Sequence, residues 1–175
     1  MGEPLLNFEQ VALAIRQLHN LYPKAELLIS TSAPNIDFKQ LNSLSREIPQ
    51  IGLQFSIHES TDDARNKLIP FKNKLSLQEI ADEGEKWHKG TGRTPFFNYC
   101  IYSGNISEYD ADRLRALFDP TVWRVTLSVI CEKDESIASA IDCQLEISNN
   151  FRLKLQKRGF NVQIFNPAGQ DDIGG

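Results

Sequence analysis

Cysteine is scarce and badly spaced for metal chemistry. The 175 residues contain three cysteines, Cys100, Cys131 and Cys143, an odd number with wide separations. There is no CxxC, CxxxC or Cys/His signature, which excludes a zinc site and a disulfide framework and leaves buried thiols as the expectation. No apolar run approaches the roughly 18 residues that a membrane span needs. The segment from Met1 to Asn7 has neither the basic start nor the apolar stretch of a signal peptide, so a cytoplasmic location and no membrane partner are expected. Positive charge is also short. The formal net charge is −4, without the basic footprint of a free-standing RNA-binding domain. The densest basic cluster, Lys86, His88, Lys89 and Arg93, reads more cheaply as a solvated helix end than as a phosphate site. Repeats and low-complexity stretches are absent. What remains is ordinary globular composition, 41% apolar and 24% charged, long enough for one domain with a hydrophobic core.

Helical and strand-like periods alternate along this chain. Asn7 is placed to cap a helix from Phe8, with Phe8, Val11, Ile15, Leu18 and Tyr22 on one face and Pro23 ending it. Strands are expected over 25–32, 51–58, 94–102, 122–131 and 160–165. Helices are expected over 37–48, 61–68 (capped by Thr61), 76–89 (capped by Ser76), 108–118 and 145–158. Such alternation predicts βαβ units and a parallel sheet, an α/β fold. Strands covered on both faces should be apolar on both. Here Gln54, Ser56 and His58 oppose Leu53, Phe55 and Ile57, and Arg124, Thr126 and Ser128 oppose Val125 and Leu127. That at least these two strands keep a polar face predicts helices on the apolar side and a cavity on the other, as in an open, partial barrel.

In barrel-like α/β folds the chemistry gathers at the C-terminal ends of the strands. Four consecutive units offer polar groups there: Gly2 and Glu3; Ser30, Thr31 and Ser32; Ser56 and His58; Gly104 and Asn105. Taken singly, each is turn or strand-end chemistry. Their matching place in successive units suits a small ligand with amine, carboxylate and hydroxyl groups.

These segments, in order, resemble the radical S-adenosylmethionine RNA adenine-C2 methyltransferases. The resemblance is carried by Gly2-Glu3-Pro4 and by the strand end Ile29 to Ser32. It continues in Phe55-Ser56-Ile57-His58 with the helix that ends at Pro70, and in His88 to Arg93. Asn105 with Asp110 to Asp112, and Gly169 to Ile173, complete it. The resemblance implies a TIM-like (β/α) partial barrel of the radical type, truncated on its N-terminal side, as a single domain over 1–175. It implies S-adenosylmethionine as cofactor, with Gly2 and Glu3 holding the methionine amino group. Ser30, Ser56, Ile57 and His58 would contact the rest of the cofactor, and Asn105 its ribose or carboxylate region. It implies a [4Fe–4S] cluster in the parent enzyme, rRNA or tRNA as the partner, and methyl transfer through a carrier cysteine to an adenine carbon.

The sequence departs from that pattern in named places. The CxxxCxxC triplet and the carrier cysteine are absent, so the chain alone is expected to be inactive, with no catalytic or metal-ligating residue of its own. Ala33 stands where the family has glycine. The stretch from Leu127 to Glu135 lacks the family's Asn-Pro loop, and Asn166-Pro167 replaces its late basic residues. A radical enzyme with a non-RNA substrate and a non-catalytic binding module are the rival readings. A barrel missing a unit should expose a strand edge, which predicts self-association.

Overall fold

The computed structural model describes residues 2–129 and 137–165, with the backbone alone for 129 and 137–145. A 3-10 turn, Pro4–Asn7, leads into α1, Phe8–Leu21. Then follow β1 (Leu27–Thr31), α2 (Lys39–Glu47), β2 (Ile51–Ser56), α3 (Asp62–Leu68), α4 (Leu77–Thr91), β3 (Phe96–Ile101), α5 (Glu108–Leu117), β4 (Arg124–Val129), α6 (Ile137–Lys157) and β5 (Asn161–Phe165). The five strands lie in the order β1-β2-β3-β4-β5, all parallel. Spatial order that follows chain order keeps every right-handed crossover on one face, which is the winding of a barrel segment; a doubly wound sheet reverses its order.

Side-chain burial separates the two faces. Leu53, Phe55, Phe97, Tyr99, Val125 and Leu127 are all fully buried beneath the helices. Trp123, just before β4, anchors the centre, with ring centroids 5.8 Å from Phe55 and 5.0 Å from Phe118. Gly84 on α4 passes so close to Trp123 that no Cβ fits between them. Among the described residues, no helix covers the opposite face. Ser56, Asn98, Thr126 and Gln163 stand in register across β2 to β5, all partly or fully open to solvent. Ser128 donates to Asn98 Oδ1 at 2.9 Å, and Gln54 donates to Ser30 Oγ at 3.4 Å. The expected polar face is therefore present and uncovered.

Local chemistry explains most element ends. Thr61 accepts from the Ala64 amide, and Ser76 with Glu79 forms a reciprocal capping box. Gly92 closes α4 with a left-handed φ of 70°. Three of the four residues of the basic cluster make structural contacts: His88 Nδ1 meets the Arg93 carbonyl at 2.6 Å, Arg93 pairs with Glu26, and Lys86 pairs with Glu83.

Three expectations change. Asn7 precedes α1, but its side chain makes no cap bond; Glu3 instead accepts from the Leu5 amide and caps the 3-10 turn. Leu18 and Tyr22 do not join the core. They are 42% and 61% exposed, beside Leu21 at 70%, while Ala12 and Ile15 nearer the start of α1 are buried. α6 begins at Ile137 rather than near Leu145. Its first turns, Ile-Ala-Ser-Ala, carry no clear stripe from which a start could be read. The segments from Ile130 to Ser136 and from Asn166 to Gly175, which include Cys131 and the Gly169-to-Ile173 match, lie outside the described residues.

Candidate functional site

The rim is built around one carboxylate. Glu3 sits before α1 and reaches the end of β1. Its Oε1 accepts from the Thr31 hydroxyl at 2.6 Å and from the Leu5 amide at 3.0 Å. Its Oε2 accepts from the Ser32 amide and the Ser32 hydroxyl, both at 2.7 Å. All four lone-pair directions of the carboxylate are thus used. Two of the donors are rotatable hydroxyls, which can turn away or accept in their turn. Gly2 beside it is exposed, with open space where a side chain would be.

Behind Ser32 lies a feature with no signal in the sequence. Arg65 on α3 is 1% exposed and donates from Nη2 to the Ser32 carbonyl and from Nη1 to the Leu75 carbonyl, each at 2.7 Å. Its Nε has no partner. Burial lowers the guanidinium pKa, with Asp62 opposing the shift. Ser32 therefore carries the Arg65 cation on its carbonyl and the Glu3 anion on its amide and hydroxyl. Ala33 follows with φ 60°, a left-handed conformation that favours glycine, and its amide donates to Thr31 Oγ1 at 3.0 Å.

After β2 the chain turns sharply. His58 has φ 61°. The amides of Ile57 and His58 both point at the Asn98 carbonyl, and the Ile57 side chain is fully buried in the core, so only its backbone faces the rim. The Cys100 amide donates to His58 Nδ1 at 3.2 Å, which leaves the ring proton on Nε2. Burial, reinforced by the Arg65 charge, pulls the His58 pKa down to about 4, so the imidazole is neutral at physiological pH. Ser56 and Ser30 stand on the uncovered face, one half-buried and one exposed.

Asn105 ties the rim together. It is 1% exposed, and its Nδ2 donates to the His58 carbonyl at 3.0 Å and to the Cys100 carbonyl at 2.8 Å, while Oδ1 accepts from the Tyr102 amide at 3.0 Å. Both donors and the acceptor are engaged, so Asn105 bears on the site by holding His58 rather than by presenting a free group. Glu59 and Tyr102, which sequence reasoning passed over, form a second rim contact: the Tyr102 hydroxyl donates to Glu59 Oε1 at 2.7 Å. That bond raises the Tyr102 pKa. Two clusters result, Glu3 with Thr31, Ser32 and Arg65, and His58 with Cys100 and Asn105; the Arg65 charge is felt in both.

S-adenosylmethionine and an iron–sulfur cluster fare differently against these residues. A carboxylate with rotatable hydroxyl partners beside an open polar face fits an ammonium-bearing, hydroxyl-bearing ligand. For a cluster, the described residues supply one free thiol, Cys100, raised in pKa by burial, and no group of three His, Cys, Asp or Glu that could hold a metal. They do not fit it. Among the described residues no helix is long and apolar enough to cross a membrane.

No protein-family model matches the chain. Individual proteins do. A probable RNA methyltransferase of Rhodopseudomonas palustris (strain BisB5) is 34% identical over 132 residues, 73% of this chain and 36% of that protein. A probable dual-specificity RNA methyltransferase RlmN of Desulforamulus reducens is 28% identical over 175 residues, 97% of this chain and 49% of that protein. Among solved structures, a radical SAM methyltransferase from Sphaerobacter thermophilus superposes with a TM-score of 0.78 at 25% identity, over 98% of this chain and 50% of that one. The chain spans at most about half the length of these relatives, over their C-terminal portion. A shared parallel sheet and similarity along nearly its whole length make this chain a homologue of the radical S-adenosylmethionine RNA methyltransferases of the dual-specificity type.

Proposed function

We propose that this chain supplies the S-adenosylmethionine-binding rim of a radical methyltransferase that acts on adenine carbon 2 of rRNA or tRNA. One observation carries the reading: the Glu3 carboxylate lies at the end of β1, gripped by Thr31 and Ser32, beside a polar sheet face that no helix among the described residues covers. In this reading Gly2 and Glu3 receive the methionine ammonium, which displaces one hydroxyl from the carboxylate. Ser30 and Ser56 offer hydroxyls to the rest of the cofactor, Ile57 offers backbone, and the neutral His58 offers its Nε2 proton. Asn105 fixes the turn that places them. When bound, S-adenosylmethionine supplies the methyl group and the radical chemistry; the residues of this chain bind and orient it. The cysteines of a cluster and the methyl-carrying cysteine are not among these residues, and no step is assigned to them. A cytoplasmic location belongs to the same reading.

Titration of the chain with S-adenosylmethionine, followed by amide NMR, tests the rim. The expected result is shifts at Thr31 to Ala33 and at His58 that are lost in Glu3→Gln. Shifts elsewhere, or equal shifts in the variant, refute it. Substrate is tested with the chain in its complete enzyme, reconstituted anaerobically. Methylated adenine in RNA supports the reading. 5′-Deoxyadenosine without RNA methylation moves the assignment to a radical enzyme with another substrate. Absence of both leaves a non-catalytic binding module.

The open edge of β1 adds a proposal of self-association. Leu28 on that strand is 59% exposed, and an unpaired strand edge offers free backbone donors and acceptors. Sedimentation equilibrium giving a clean monomer across the accessible concentration range would count against it.

A further inference from the structure

Tyr102 sits on the loop just after β3, at the same rim as His58, and it is held unusually firmly for a residue 38% exposed. Three contacts hold it. Its hydroxyl donates to Glu59, a carboxylate only 5% exposed that has little room to follow a moving partner. Its backbone amide is bound by Asn105. The Cδ2–Cε2–Cζ edge of its ring rests against Gly104, where an added Cβ would lie 2.6 Å from Cε2. No other aromatic ring packs on it among the described residues, in contrast to Tyr99, which stacks near Phe151 in the core. The ring is thus tethered at its hydroxyl and along one edge, while much of its surface stays in water.

A buried carboxylate spent on orienting an exposed aromatic ring needs a reason, because burying a carboxylate costs free energy that hydrogen bonds must offset. A flat ring whose orientation is set in advance loses little entropy when a second flat ring stacks on it, and base-on-aromatic stacking is the common way proteins hold an unpaired nucleobase. We propose that Tyr102 is a preoriented stacking platform for a purine base at the rim, with Glu59 as the positioning residue that fixes the ring. The inference rests on the reading of this rim as the working face. The base has two sources with the same chemistry, an adenine of the RNA substrate or the adenine of S-adenosylmethionine.

The test uses the full chain with assigned Tyr102 ring resonances and three probes: hexaadenylate RNA, S-adenosylmethionine and ribose 5-phosphate. The expected result is an upfield ring-current shift of the Tyr102 protons with at least one base-bearing probe and none with ribose 5-phosphate. Tyr102→Ala and Tyr102→Leu should weaken that probe's binding roughly 5- to 150-fold, the range of single-base stacking, while Tyr102→Phe, which keeps the ring but loses its tether to Glu59, should weaken it by clearly less. Glu59→Gln, which keeps an acceptor, should bind nearly as well as the parent. A shift with hexaadenylate assigns the platform to the substrate, and a shift with S-adenosylmethionine alone assigns it to the cofactor. Unchanged affinity in Tyr102→Ala overturns the proposal. So does an equal loss in Tyr102→Phe, or the absence of any ring shift with both base-bearing probes. The Glu3→Gln titration reads different resonances, so failure of the platform and failure of the functional reading are told apart.

Discussion

Asn105 donates its side-chain amide to the backbone carbonyl of His58 at 3.0 Å, across 47 residues of sequence. The loop after β3 thereby holds the loop after β2 in a left-handed turn, φ 61° at His58. In the same act the second amide proton satisfies the Cys100 carbonyl at the end of β3.

Removal of that amide should loosen the rim. Asn105→Ala leaves the His58 and Cys100 carbonyls and the Tyr102 amide without partners in a buried place. Each unpaired group costs roughly 1–3 kcal/mol, less where water enters. The urea midpoint should fall clearly, and amide exchange at Tyr102 should rise more than exchange in the core of β2. Asn105→Asp should be at least as damaging, because it points a carboxylate at two carbonyl oxygens.

The His58 environment predicts a pH dependence. Its folded pKa of about 4 lies below the ordinary 6.5. Below pH 6.5 the unfolded chain binds a proton that the folded chain refuses, so stability is full above that pH and falls as pH drops toward 4. The loss approaches about 2–3 kcal/mol at the bottom of the window, allowing for partial exposure. Urea midpoints measured from pH 7 to pH 5 should decline, and His58→Asn, which tolerates the left-handed turn, should flatten that decline. Arg65→Met should raise the His58 midpoint observed by NMR, since the Arg65 charge is the second cause of its depression.

Ala33 is a strained position. Its φ of 60° costs a non-glycine residue roughly 1 kcal/mol. Ala33→Gly should therefore be neutral or stabilising, by up to about 1 kcal/mol, despite the added freedom of the unfolded chain. The measurement is the thermal midpoint, and a clear fall would show that the buried Cβ contributes more than the strain removes.

Gly84→Ala should do the opposite. Its Cβ would overlap the six-membered ring of Trp123, which is fully buried among Phe55, Phe97 and Phe118. Overpacking of this kind costs typically 1–3 kcal/mol, and more where the ring cannot move. Denaturation by urea should give a lower midpoint, and the near-ultraviolet dichroism of Trp123 should change with it.

Much of the fold was legible because its signals are local. The alternation of Ile51, Leu53, Phe55 and Ile57 against Gly52, Gln54 and Ser56 announces one buried and one open face, and each of the first four is fully buried. Thr61 and Ser76 cap the helices they precede, since a cap needs only its own next three residues. Where the reading failed, the missing term was a neighbour. Leu18 and Tyr22 fit the stripe of α1 but stay exposed, and helical periodicity cannot say how far the surface covering a helix extends.

The candidate site was legible as a set of residues and not as a mechanism. Glu3, Ser30, Ser56, His58 and Asn105 stood out by residue type at successive strand ends. Nothing local says that Asn105 would turn inward and spend every polar group on backbone. Arg65 looked like one more charge on a short helix. Its burial is matched by the Ser32 and Leu75 carbonyls, 33 and 10 residues away along the chain, which accept from its guanidinium. Tyr102 reads as the end of the strand over 94–102 and Glu59 as the residue after the strand over 51–58, and nothing in either says that they meet.

The sequence by itself determined the alternation of strands and helices, the apolar face of the 51–58 and 122–131 strands, the caps at Thr61 and Ser76, and which polar residues end up at the C-terminal rim. All of these follow from periodicity and from hydrogen bonds that span a few residues. Only the tertiary structure decided that Thr31 and Ser32 would saturate the Glu3 carboxylate, that Arg65 would lie buried behind them, and that Asn105 would clamp His58. Those contacts join residues 28 to 47 positions apart. The pairing register of parallel strands sets their geometry, and that register exists only once the sheet has assembled.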